Sequence, residues 1–183
     1  MTQIKFLKTR DVKAPSRANR YDAGIDFFVP VFEDQFLMDL LSKNDWMSYT
    51  PIAELSMHKG FYLPPHQKVL IPSGIKCRMA DNQRALIAFN KSGIASKYGL
   101  VAGACVVDFE YQGEIHINVI NTTNETVLIE QNMKLMQFVE LPIITSDIIL
   151  VEDEERLFQG ETTTRGASGF GDSDKKDIIQ LNS

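Results

Sequence analysis

The sequence predicts an all-β domain, a barrel or sandwich, interrupted by one small helical insertion. Three observations lead there. Residues 114–121 alternate, with Ile115, Ile117 and Val119 on one side and Glu114, His116 and Asn118 on the other, the period of two of a strand with one buried face. Further short apolar runs occur at 4–7, 25–29, 68–71, 75–79, 84–89, 126–130 and 134–140, a spacing typical of sandwiches and barrels. One stretch breaks this pattern with a helical period.

Taken in order, the runs at 4–7 and 25–29 open the domain. From Glu33 to Lys43, the residues Phe36, Leu37, Leu40 and Leu41 recur at helical spacing behind the acidic Glu33 and Asp34. Asn44 and Asp45 follow where a helix would stop, and the only tryptophan, Trp46, comes next. Residues 33–58 therefore read as a helical insertion, whose apolar stripe packs on the parent sheet or meets a protein partner. Pro72-Ser73-Gly74 is expected to be a tight turn between two strands, and 121–125 a polar turn. The β domain is expected over 1–163. Residues 164–183, with glycines among Thr, Ser and Asp, read as a mobile C-terminal flap because they have little to bury.

Composition narrows the function. The 183 residues are 44% hydrophobic and 23% charged, enough for one ordinary core. The formal net charge of −5 argues against a broad grip on nucleic acid, so an anionic ligand would need a local cationic cluster. Cys77 and Cys105 form neither a disulfide framework nor a zinc-ligand spacing. The N-terminus lacks the apolar stretch of a signal peptide, and no run approaches 18 apolar residues. The expectation is a cytoplasmic protein in a reducing compartment, with no membrane association. His58, His66 and His116 show no paired metal spacing and are assigned to the surface or an interface.

Four clusters could carry chemistry. Asp22-Ala23-Gly24-Ile25-Asp26 is a turn entering a strand. The segment Asn90-Lys91-Ser92-Gly93-Ile94-Ala95-Ser96-Lys97-Tyr98-Gly99 reads as a loop whose hydroxyls, amides and lysines could cradle phosphate oxygens. In Val107-Asp108-Phe109-Glu110-Tyr111-Gln112-Gly113-Glu114, Asp108 follows a β-branched run and is expected at the end of a buried strand, while Glu110 and Glu114 read as surface charge. In Arg165-Gly166-Ala167-Ser168-Gly169-Phe170-Gly171, one guanidinium and one ring suit a flap closing over an anion and a planar group.

In order and content these clusters closely resemble the motifs of the trimeric deoxyuridine triphosphatase (dUTPase) family, with Lys134-Leu135-Met136-Gln137-Phe138 as its fourth motif. The resemblance covers nearly the whole chain apart from the insertion after the first motif. It implies a jelly-roll-like subunit forming a homotrimer, with each site drawn from three chains. It implies hydrolysis of deoxyuridine triphosphate to the monophosphate and pyrophosphate, with Mg²⁺ on the triphosphate. Asp108 would orient the water that attacks the α-phosphorus. Lys91, Ser92, Gly93, Gln137 and Arg165 would meet phosphates, and Tyr111 would pack on the deoxyribose. The hairpin around Gly103 would read uracil with backbone groups, Gly169 and Phe170 would close over the base, and Asp26 would sit near the metal's water shell.

Lys91 stands where the family usually has arginine, keeping the charge but losing the bidentate fork. Ala102 stands where some members carry asparagine, and Asp172 and Asp174 follow the last motif. Deoxycytidine triphosphate deaminase, of the same fold, needs an acid/base glutamate where this chain has Asn118. An interaction protein acting through 33–58 is the alternative of a different class.

Overall fold

Two four-stranded antiparallel sheets face each other across a single apolar core. The computed structural model describes residues 3–167. Among them the strands are β1 (Lys5–Lys8), β2 (Ile25–Phe28), β3 (Gly60–Leu63), β4 (Lys68–Arg78), β5 (Arg84–Phe89), β6 (Leu100–Ala102), β7 (Val106–Val107), β8 (Ile115–Asn121), β9 (Val127–Glu130) and β10 (Lys134–Pro142). One sheet runs β1-β4-β8-β6 and the other β2-β10-β5-β7, while β3 and β9 form a two-stranded ribbon. This is the all-β architecture expected. In β8 the alternation holds residue by residue, Ile115, Ile117 and Val119 buried and His116, Asn118 and Ile120 half-buried. Phe6 of one sheet meets Phe27 of the other edge-on at 5.9 Å, and Phe27 meets Phe138 at 4.4 Å, which closes the core between the layers.

The Pro72-Ser73-Gly74 turn is not a turn. The two strands expected around it are one strand, β4, whose register against β8 shifts between Pro72 and Ile75. Proline lacks a ladder donor and is tolerated at such a bulge. Ser73 is fully buried and its Oγ accepts from Ile75 N at 3.2 Å, while Gly74 takes φ +73°. Strand β3 is short and carries too little periodic signal to be read from sequence.

The insertion after β2 is helical. It comprises α1 (Asp34–Lys43), a 3₁₀ turn at Asp45–Met47 and α2 (Ile52–His58). Phe36, Leu37 and Leu40 are buried in the common core, so the apolar stripe packs on the parent domain. Asn44, the residue ending α1, stitches it there. Its Nδ2 donates to Leu40 O (2.7 Å) and Leu70 O (2.9 Å), and its Oδ1 accepts from Leu70 N (2.9 Å). Trp46 Nε1 adds a bond to Lys68 O at 2.9 Å.

The chain divides into a compact unit ending at Thr145 and a second beginning at Ser146, ahead of the boundary expected at 163. Residues 143–150 form no strand, and among the described residues the second unit contains one short helix, α4 (Glu154–Phe158), capped by Asp153. Among the described residues no helix is long and apolar enough to cross a membrane.

Candidate active site

Asp26 is 4% exposed in β2 and lies opposite Gln137 of β10. A buried carboxylate needs compensation, and two lysines provide it. Lys91 Nζ donates to Oδ1, and Lys134 Nζ lies 3.0 Å from Oδ2. Burial works against ionisation, but the hydrogen bonds and charges of Lys91 and Lys134 outweigh it and hold the carboxyl below its ordinary pKa. The cluster is one positive charge in excess. Lys91 keeps two further N–H donors for an anion.

Beside it, Gln137 Nε2 donates to Asn90 O at 2.8 Å. Gly24 makes room for that side chain: a Cβ there would lie 2.1 Å from Gln137 Oε1. These groups line a cleft of about 440 Å³ with Asp22, Phe89 and Lys91. Ser92 and Gly93 are exposed at the start of α3 (Ser92–Tyr98), so the segment expected as a loop is a short helix.

Asp108 is exposed just after β7, not at the end of a buried strand, because β7 is only two residues long and Val106 is itself 60% exposed. With Tyr111, Cys105, His116 and Phe138 it lines a second cleft of about 190 Å³. That is smaller than the roughly 300–1,000 Å³ of a complete ligand site. Tyr111 Oη donates to Glu114 O at 2.8 Å.

The two clefts lie on opposite sides of β10. Gln137 and Val139 line the first and Phe138, the residue between them, lines the second. Side chains of successive strand residues point to opposite faces. Asp108 and Lys91 thus line different clefts.

The hairpin between β6 and β7 departs from expectation. The amides of Ala102, Gly103 and Ala104 are committed to Asn90 Oδ1 (2.6 Å), Asn118 O (3.0 Å) and Asn118 Oδ1 (3.1 Å). Gly103 is required by this closeness, since a Cβ would lie 1.6 Å from Asn118 Oδ1. Base reading by these backbone donors is thus pre-empted, and Asn90 and Asn118 emerge as the residues that shape the hairpin. Glu114 is also not surface charge: its side chain is 17% exposed and bonded to Arg10. Asn118, between Ile117 and Val119, and Lys134, between Met133 and Leu135, are polar residues flanked by apolar ones, a local signal that Asn90 and Glu114 lack.

Arg165 is exposed in the second unit. Gly169 and Phe170 lie outside the described residues. Asp26 is given to two lysines rather than left open to a hydrated ion. Among the described residues no three His, Cys, Asp or Glu groups stand together as a metal cage. This donor set fits Mg²⁺ only as an ion held largely by phosphate oxygens, with few protein ligands.

Fold and clefts define a two-sheet β domain with a net-cationic cleft suited to an anionic ligand and a second cleft that holds Asp108 and Tyr111. The chain belongs to the dUTPase family, whose model matches residues 50–174. Curated relatives include the deoxyuridine 5'-triphosphate nucleotidohydrolases of Photorhabdus laumondii, 33% identical over 62% of this chain and 72% of the relative, and of Chlamydia felis, 35% identical over 61% and 75%. Among solved structures, a variant dUTPase of Staphylococcus bacteriophage 80alpha with dUpNHpp superposes with TM-score 0.65 at 21% identity, covering 94% of this chain and 98% of that one. A variant dUTPase of phage phi11, described with a structural Mg(II) ion, gives TM-score 0.62 at 19% identity over 84% and 99%.

Proposed function

We propose that this chain hydrolyses deoxyuridine triphosphate to the monophosphate and pyrophosphate, as a homotrimer whose sites each draw on more than one subunit. Family membership supports the reaction. The observation that supports the assembly is that Asp108 and the Lys91–Gln137 cluster line separate clefts, which a site shared between copies would join.

In this reading the exposed Asp108 carboxylate accepts a hydrogen bond from water and aims a lone pair in line with the α-phosphorus. Lys91, Ser92, Gly93 and Gln137 bind phosphate oxygens, where negative charge develops. Lys91 does so from a position fixed by Asp26, which offsets the lost geometry of an arginine fork. Tyr111 covers the deoxyribose, leaving no space for a 2′-hydroxyl. Asn90 and Asn118 hold the hairpin at Gly103 beside the base, which it meets other than through the committed amides of Ala102, Gly103 and Ala104, and Arg165, Gly169 and Phe170 close the site. Mg²⁺ bound to the triphosphate would neutralise part of its charge. A partner of the insertion would meet Tyr49 and Met57, which are 97% and 71% exposed.

The test is pyrophosphate release from each deoxynucleoside triphosphate, with sedimentation of the same preparation. Hydrolysis confined to deoxyuridine triphosphate by a trimer is expected. Ammonia release from deoxycytidine triphosphate would overturn the reading. Asp108→Asn should keep nucleotide binding and lower turnover roughly 10²–10⁴-fold, the scale of a lost positioned base. Unchanged turnover would remove Asp108 from the mechanism.

A further inference from the structure

Tyr111 is anchored by a chain of polar contacts that begins in the helical insertion. Its ring folds back across Gly113, where a Cβ would lie 2.4 Å from Tyr111 Oη. Its hydroxyl donates to Glu114 O at 2.8 Å, so the ring's position follows that of the 113–114 peptide. The Glu114 side chain in turn fixes this peptide. Oε1 accepts from Gly74 N at 2.5 Å and Arg10 Nε at 2.9 Å, and Oε2 accepts from Arg10 Nη2 at 2.6 Å.

Gly74 is the left-handed residue of the β4 bulge, and Arg10 fills the space beside it, 2.5 Å from where a Cβ would stand. The bulge therefore serves to offer the Gly74 amide to Glu114. Arg10 Nη2 also reaches Asp39 Oδ2 of α1 at 3.0 Å, and its guanidinium lies 5.8 Å from the Phe36 ring centre. The Arg10 and Glu114 side chains are 14% and 17% exposed. Part-buried ion pairs of this kind contribute little net stability, and fixing geometry is their better-attested use. A planar fork bonded twice to one carboxylate sets direction as well as distance.

We propose that Glu114 and Arg10 are positioning residues for Tyr111, and that Asp39 makes the insertion part of the device rejecting ribonucleotides. The inference rests on the sugar-packing role given to Tyr111 above. With the tether intact, the ring stands where a 2′-hydroxyl would go. With it cut, the ring retreats and the ribonucleotide is admitted.

The test is the ratio of kcat/KM for deoxyuridine triphosphate to that for uridine triphosphate. Both are measured on one preparation, so the folded fraction cancels. Glu114→Ala and Arg10→Lys should lower the ratio about tenfold or more, given the sensitivity of reacting geometry to ångström displacements. Glu114→Gln, which keeps the shape, and Asp39→Asn, which leaves the fork intact, should lower it about two- to fivefold. Asp81→Asn, which breaks an unconnected ion pair with Arg84, should leave the ratio alone. If Glu114→Ala is inactive toward both nucleotides, Glu114→Gln and Arg10→Lys decide. Ratios in those variants indistinguishable from that of the natural chain would overturn the inference. A natural chain without activity on deoxyuridine triphosphate would sink the proposed function and this inference with it.

Discussion

Replacing Asp26 by asparagine removes one buried charge and leaves two ammonium groups facing each other. The amide can still accept from one lysine, but its Nδ2 confronts the other, donor against donor. Two charge-assisted bonds are lost or weakened, each worth about 1.5–3 kcal/mol when well shielded. Lys91 and Lys134 are 23% and 47% exposed, so water compensates much of that. A loss of about 2–3 kcal/mol follows, which lowers Tm by roughly 4–12 °C for a chain of this size. The pH dependence has a definite sign. Because the folded carboxyl titrates below its ordinary value of 3.8, its contribution is present above that value and lost as pH falls through the lowered one. Thermal unfolding by circular dichroism, at one protein concentration because assembly shifts apparent stability, should separate natural and variant chains near neutral pH. The two should converge as pH falls below the carboxylate range. A Tm difference under about 2 °C near neutrality would refute the claim that Asp26 is the counter-ion organising this cluster.

Other outcomes follow from single contacts. Asn44→Ala strands the Leu70 amide and two carbonyls beneath α1, and should reduce stability by about 3 kcal/mol in urea denaturation. A midpoint like that of the natural chain would show that the insertion does not need the stitch. Gly24→Ala should displace the Gln137 carboxamide from Asn90 and raise KM for the nucleotide with little loss of fold. Unaltered KM with normal Tm would take Gln137 out of the phosphate site. Burial pushes the His116 imidazole below its ordinary 6.5, against the opposing influence of Glu114. Folding therefore favours neutral His116, and stability should decline as pH falls below that value. His116→Gln should flatten this decline in denaturation at about pH 7.5 and 5.5, and equal declines in both chains would contradict it.

Local order was legible from the residues alone. The alternation through Ile115, Ile117 and Val119 gave β8 its buried face, and the spacing of Phe36, Leu37 and Leu40 gave α1 its stripe. The succession of short motifs placed the chain beside the dUTPases. Such features depend on neighbours two to four positions apart, within reach of any periodic pattern. Pro72-Ser73-Gly74 misled because the residues of a turn are also those of a bulge, and only pairing with β8 distinguishes them. Glu114 looked like surface charge because its partner Arg10 stands 104 positions away. The commitment of the Ala102, Gly103 and Ala104 amides to Asn90 and Asn118 was invisible for the same reason. Sequence by itself determined which chemical groups this protein owns and which strand faces bury them. Tertiary structure alone decided which of those groups meet, and it set Asp108 and Lys91 in separate clefts. Contact between distant segments depends on register and on the closing of the two sheets, and no local period encodes either.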